Sequence, residues 1–224
     1  MNAQIATKPR RTIFLVALAA IALSMLYMTT PVLAANKVTF VDTRPNTEVH
    51  KGTVAGSLNI PAGKSVASFG AWAVDPERDN RPLVLLAAGH EQAREMWDHL
   101  VRVGIDNVGG YVTAIEGLPT TTPRLIQPEE LEGFGSSVVL DVRNRTEHIA
   151  GHIPGSKHLS GGRVLWNLDQ LPTGGTIVTY CQSGVRSSVV ASTLRQVGYD
   201  VAELDGSYAA WAAWEQARET ASAH

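Results

Sequence analysis

The chain has 224 residues, 19 Lys and Arg against 21 Asp and Glu, and a formal charge of −2. That near-balance, with no basic stripe or acidic tail, gives no support for a nucleic-acid or polyanion partner. The single cysteine, Cys181, cannot form an internal disulfide, and no Cys/His spacing matches a structural zinc site, so no metal is implied.

The first 35 residues read as a targeting segment. "KPRR" is followed by the apolar, helix-prone run "TIFLVALAAIALSMLYM". Pro31 then breaks the run, and Val32 and Ala34 are spaced like a signal-peptidase site. The apolar stretch is also nearly long enough to serve as a retained membrane anchor. Either reading exports the remainder of the chain, because the basic flank precedes the apolar run. The Arg10–Arg11 pair is a weak hint of twin-arginine export.

The rest contains a repeat. Residues 39–61 overlay on residues 138–160 at an offset of 99, matching Asp42 to Asp141, Arg44 to Arg143, Glu48 to Glu147 and Gly52 to Gly151. Residues 81–107 overlay on 175–201 at an offset of 94. The expected organisation is a leader over 1–35, one domain over 36–118, a linker over 119–126 and a second domain over 127–220. Three prolines and a threonine cluster mark the join.

In the second unit, "SSVVLDV", "IVTYC" and "DVAEL" read as strands, and "SSVVASTLRQVG" and "SYAAWAAWEQARE" as helices. "PEELEGF" reads as a short helix. Continuous apolar strands alternating with helices predict an α/β fold, a mainly parallel sheet covered by helices on both faces. Ligands in such sheets bind at the carboxyl ends of the strands. Cys181 falls at one of those ends.

A lone cysteine can be a buried filler, an intermolecular crosslinker or a reactive thiol. The sequence "CQSGVRSS" favours the third. Gly184 lets the backbone curl, so that amides of Gln182 to Arg186 can converge at a helix N-terminus, with Ser187 or Ser188 as a cap. Such a nest, with Arg186 nearby, favours thiolate and binds an anion.

The residues "LDVRNRTEHIAGHIPGS", "VTYCQSGVRSS" and "GYDVAELDGSYAAW" make the second unit resemble a rhodanese (sulfurtransferase) domain over roughly residues 125–218. The resemblance implies that Cys181 is the nucleophile and persulfide carrier. It takes sulfane sulfur from a small anionic donor such as thiosulfate, or from a persulfide. It then passes the sulfur to cyanide, a thiol or an acceptor protein. Gln182, Ser183, Gly184, Val185 and Arg186 would line the substrate site, with Arg186 orienting the anion and Arg143 reaching the pocket or pairing with Glu147. Asp141 and Ser187 would act in support, and no cofactor is implied. The first unit resembles the inactive half of tandem rhodaneses, since the overlay puts Ala87 at the cysteine position and Gln92 at the arginine position.

Two other readings stand beside this one. A phosphatase family shares the fold, but its loop has five residues between cysteine and arginine, whereas Gln182 to Val185 are four. A non-catalytic binding or redox-sensing module would keep the fold without the chemistry. His90 and His152 are read as a solvated loop residue and a turn residue, and His148 and His158 carry no signal. Trp211 and Trp214 share a helix face and are expected to pack. The sequence is silent on oligomeric state.

Overall fold

The computed structural model describes residues 37–134 and 137–222. The expected leader lies outside the described residues. Among the described residues, no helix is long and apolar enough to cross a membrane.

The first unit comprises β1 (Thr39–Asp42), α1 (Asn46–Val49), β2 (Thr53–Val54), β3 (Leu58–Asn59), α2 (Val66–Ala73), β4 (Leu83–Leu86), α3 (His90–Val101) and β5 (Val108–Val112). Its sheet has the order β3-β1-β4-β5 and is parallel throughout. The second unit follows with β7 (Arg124–Ile126), β8 (Val138–Asp141), α4 (Arg145–Ala150), β9 (Lys157–His158), α5 (Gly161–Val164), β10 (Ile177–Tyr180), α6 (Val185–Gln196), β11 (Val201–Leu204) and α7 (Ser207–Ser222). Its strands run parallel in the order β7-β11-β10-β8-β9. Both central strands, β4 and β10, are buried along their whole length, as their unbroken apolar runs require.

The segment 119–126, expected as a linker, is itself strand-forming. Its first half, β6 (Thr120–Thr121), pairs antiparallel with β2, and its second half is β7, an edge strand of the second sheet. Threonines and an extended residue before each proline suit that role. "PEELEG" forms the expected short helix over Pro128–Gly133, a 3₁₀ turn. Glu130 accepts the Gln127 amide at 2.6 Å and tightens it.

The helix after the cysteine loop, α6, ties the units together. Every residue from Ser187 to Leu194 is buried, so over these middle turns no face of the helix meets water. Val190, Ala191 and Leu194 pack on the second sheet, while Val185 and Val189 enter the core of the first unit. The small polar residues make the remaining contact. Ser188 donates to Asn59 Oδ1 at 3.0 Å, and the Asn59 amide donates to Ser192 Oγ at 2.9 Å. Trp72 on α2 lies against Gly161 and Gly162 of α5, where a side chain would collide with the indole. His50 meets the buried Glu203 at 3.0 Å, and Arg195 holds the other oxygen at 2.8 Å. Burial alone would raise the Glu203 carboxyl, but His50 and then Arg195 hold it below the ordinary range.

On the opposite face of the second sheet, α7 and the 3₁₀ turn cover Ile126, Val178 and Leu204, with Tyr208 and Trp211 in contact. Trp211 stacks near Tyr208, whereas Trp214 carries the Arg218 guanidinium 4.9 Å from its ring centre.

Candidate active site

The repeat predicted at the strand ends appears as the same hydrogen-bond unit built twice. Arg44 donates its amide and Nε to Asp42 Oδ1 at 3.0 and 2.9 Å, and its Nη2 to the Gly52 carbonyl at 2.8 Å. Arg143 makes the same contacts to Asp141 at 3.0 and 3.0 Å and to Gly151 at 2.7 Å. Each aspartate thus fixes the turn that follows its strand.

This geometry corrects the expectation for Arg143. Its side chain is 2% exposed, and it lies over the Tyr208 ring at 4.0 Å. It is turned onto Asp141 and the Tyr208 ring, and Glu147 pairs with Arg186 instead. Asp141 is a buried hub that also accepts from His148 at 3.0 Å and from the Tyr180 hydroxyl at 2.9 Å. Burial works to raise the Asp141 carboxyl, yet Arg143 and these donors bring it down to about 2. Burial raises the Tyr180 phenol to about 12, so Tyr180 stays a neutral donor.

Cys181 follows β10 directly, and α6 begins four residues later at Val185. Gly184 takes φ 100°, which L side chains resist, and turns its own amide back onto Cys181 Sγ at 3.2 Å. The Ser187 hydroxyl lies 3.6 Å from Sγ and 3.0 Å from the Gly184 carbonyl, and its single proton can be given to either acceptor. Neither expected serine caps α6 by bonding a free helical amide: Ser187 turns to the loop and Ser188 to the first unit.

Burial pushes the Cys181 thiol up, but Ser187 through its amide and hydroxyl, and the amides of Ser183 and Gly184, lower it below the ordinary thiol value. The converging donors therefore favour a sulfur anion. The sulfur is buried: Cys181 is 1% exposed and shares a cluster with Leu140, Val142 and Ala191. Hydrocarbon backs the atom on one side and hydrogen-bond donors face it on the other. Gln182 and Ser183 occupy the loop beside it, and Val185 and Arg186 open the first turn of α6.

Arg186 also departs from expectation. Its Nη1 and Nη2 reach both oxygens of Glu147, at 2.7 and 2.8 Å. Glu147 is fixed in turn by the Asn144 amide at 3.1 Å, in the first turn of α4. Arg186 first, then the Asn144 amide, holds the Glu147 carboxyl down to about 2 against the effect of burial. The Arg186 guanidinium is raised by Glu147, and Cys181 adds to that rise.

Sequence reasoning missed Ser207. It is the one described non-glycine residue with positive φ, 56°, at the start of α7. Its hydroxyl accepts the Cys181 amide at 3.3 Å, and the next two amides, of Tyr208 and Ala209, bond the carbonyls of Cys181 and Gln182. The "DGSYAAW" segment carried that signal without revealing its partner. The three histidines His148, His152 and His158 stack, with ring centres 4.0 and 4.7 Å apart, and brace the turn after α4.

In the first unit the equivalent loop is one residue shorter, running from Ala87 to Gly89 before α3 begins at His90. The ungapped overlay therefore fails inside the loop. Gln92 does not stand where Arg186 stands. Its side-chain oxygen accepts the Ala88 amide at 2.8 Å and the Thr43 hydroxyl at 3.2 Å, so the chain fills this nest with its own amide. His90 sits beside Tyr111. A cavity of about 670 Å³ lies here, between Thr43, Pro61, Ala87, Gln92 and Val185.

A family model, the rhodanese-like domain, matches residues 32–117 and 128–213. Over 90 residues the chain is 35% identical to the thiosulfate sulfurtransferase GlpE of Pseudoalteromonas translucida, covering 40% of this chain and 86% of that one. Among solved structures, reduced CoADR-RHD of Bacillus anthracis aligns with TM-score 0.41 and 26% identity over 43% of this chain and 18% of that one. A thiosulfate sulfurtransferase of Pseudomonas aeruginosa aligns over 94% of this chain and 44% of its own, at 21% identity and TM-score 0.38. With both halves matched, the chain belongs to the rhodanese-like domain family.

Proposed function

We propose that this protein is a sulfurtransferase of the rhodanese type, with the second unit catalytic and the first inert. Cys181 thiolate attacks the outer sulfur of a thiosulfate or persulfide donor, and the donor's remainder leaves with the bonding electron pair. The resulting persulfide is then attacked at its outer sulfur by cyanide or a thiol, which regenerates the thiolate. The observation that carries this reading is the convergence of the Gly184 amide and the Ser187 hydroxyl on Cys181 Sγ. Donors so placed stabilise sulfur anions before and after transfer. With no second cysteine in the chain, no internal thiol can discharge the persulfide.

The test is the intact mass of the purified protein before and after thiosulfate. The expected result is a gain of one sulfur atom, removed by cyanide and missing in Cys181→Ser. Absence of any gain with both thiosulfate and a persulfide would refute the reading.

The burial of Cys181 favours one rival, a non-catalytic module with an inert thiol. Rapid labelling by iodoacetamide at mildly acidic pH opposes it; slow labelling supports it. We propose export as well, on the strength of the N-terminal segment. The N-terminal mass of protein recovered outside the cytoplasm tests it, and recovery in the cytoplasm alone would dismiss it.

A further inference from the structure

We infer that the sulfur donor is a persulfide of low charge, and that Glu147 sets this preference by neutralising Arg186. The inference rests on the sulfurtransferase reading and narrows its donor class.

Two independent observations support it. The first is charge. The cysteine loop, from Cys181 to Ser187, contributes one cation, Arg186, and both its terminal nitrogens are held by the two oxygens of Glu147. Arg143, the buried cation of the neighbouring sheet-end turn, is matched in the same way by Asp141. With a thiolate at Cys181, these five groups sum to one negative charge. A thiosulfate dianion would approach that surplus and find its sulfonate's guanidinium partner already ion-paired. The second is desolvation. Cys181 is 1% exposed, so a donor must shed water around its outer sulfur to reach Sγ. Shedding water from a dianion costs more than from a neutral or singly charged group.

A hydropersulfide, R–S–SH, avoids both costs. The Cys181 thiolate attacks its outer sulfur, the new Sγ–S bond forms and the inner S–S bond breaks. R–S⁻ leaves with the electron pair, and the proton stays on the transferred sulfur. A neutral donor enters, and the single negative charge that began on Cys181 leaves on R–S⁻. With thiosulfate the same displacement brings a dianion in and must expel sulfite, also a dianion, past Glu147.

Glu147 is therefore a specificity-determining residue that acts through Arg186. Its replacement by Gln keeps an acceptor oxygen for the Asn144 amide, since glutamine serves the same position in a helix-capping box, and releases the guanidinium.

The experiment follows sulfur loading of Cys181 by intact mass, with thiosulfate and with cysteine hydropersulfide as separate donors, across a range of ionic strength. In the wild type, added salt is expected to speed loading from thiosulfate, because it screens repulsion. In Glu147→Gln the thiosulfate-to-hydropersulfide rate ratio should rise about tenfold, as expected of a freed charge-assisted contact, and salt should now slow thiosulfate loading. A double variant, Glu147→Gln with Arg186→Gln, should lose that gain. An unchanged ratio in Glu147→Gln, or wild-type thiosulfate loading that falls with salt, overturns the inference while leaving sulfur transfer intact. The wild-type salt series needs no variant to fold. Failure of both donors to load Cys181 would instead remove the underlying sulfurtransferase reading.

Discussion

Asn46 of the first unit presses on Gly184 in the cysteine loop of the second: a Cβ placed on Gly184 would lie 2.8 Å from the Asn46 side-chain nitrogen, Nδ2. The loop that aims its donors at Cys181 is thus shaped by its own chain and held from outside by the neighbouring unit. Gly184→Ala meets two penalties, a left-handed φ and a collision. The first alone costs roughly 1–2 kcal/mol. We expect a lower melting temperature and at least tenfold slower sulfur loading. Asn46→Ala in the same background removes the collision and should recover part of the stability but not the loading rate.

Cys181 should titrate below an ordinary thiol. Because Ser187, Ser183 and Gly184 outweigh burial, its alkylation rate should reach a plateau at a pH below about 8.5, the value of a free thiol. Ser187→Ala removes one of the donors and should move the midpoint upward. A midpoint at or above that of free cysteine in the wild type would refute the electrostatic account of the loop.

Asp141 is fully buried and serves Arg143, His148 and Tyr180 together. Removing one partner from a buried ion pair costs about 3–5 kcal/mol. Asp141→Asn should lower the urea midpoint by a corresponding amount. Asp42→Asn, in the parallel site of the first unit, should cost less, since Arg44 is one-third exposed and less dependent on its carboxylate.

The pH dependence of stability follows from the two carboxylates held at about 2, Asp141 and Glu147. Both are depressed in the folded state, so their contribution is complete above the unfolded values, near 4, and disappears as pH falls through the folded ones. Melting temperature should therefore be flat with respect to these groups from about pH 5 upward and drop between about pH 4 and pH 2. The drop should shrink in Asp141→Asn. An equal drop in that variant would locate the acid sensitivity elsewhere.

The contact between Trp72 and α5 should couple the two units. A Cβ on Gly161 would sit 2.7 Å from the indole and 3.2 Å from Val190. Overpacking of this kind costs about 1–3 kcal/mol. Gly161→Ala should lower the melting temperature of both units together, read by calorimetry as one shifted transition. Two separated transitions in the wild type would show that the units unfold independently.

What the sequence settled by itself was local or periodic. Apolar runs of strand length, the glycines at sharp turns and the repeated Asp-x-Arg were enough to announce two parallel-sheet units, because short-range sterics and burial act on neighbouring residues. The position of Cys181 at a strand end belongs to the same class. Tertiary structure alone decided how that thiol is served and covered. Glu147 and Arg186 stand 39 positions apart, and Ser207 lies 26 beyond Cys181. Such partners meet only after the sheet has set the spacing of its loops. Arg143 could be placed near the site from sequence, but not its burial over Tyr208, since a charge turns inward only where a carboxylate is already waiting. For the same reason the serines of α6, which look like a polar face in one dimension, are the seam on which the two units close.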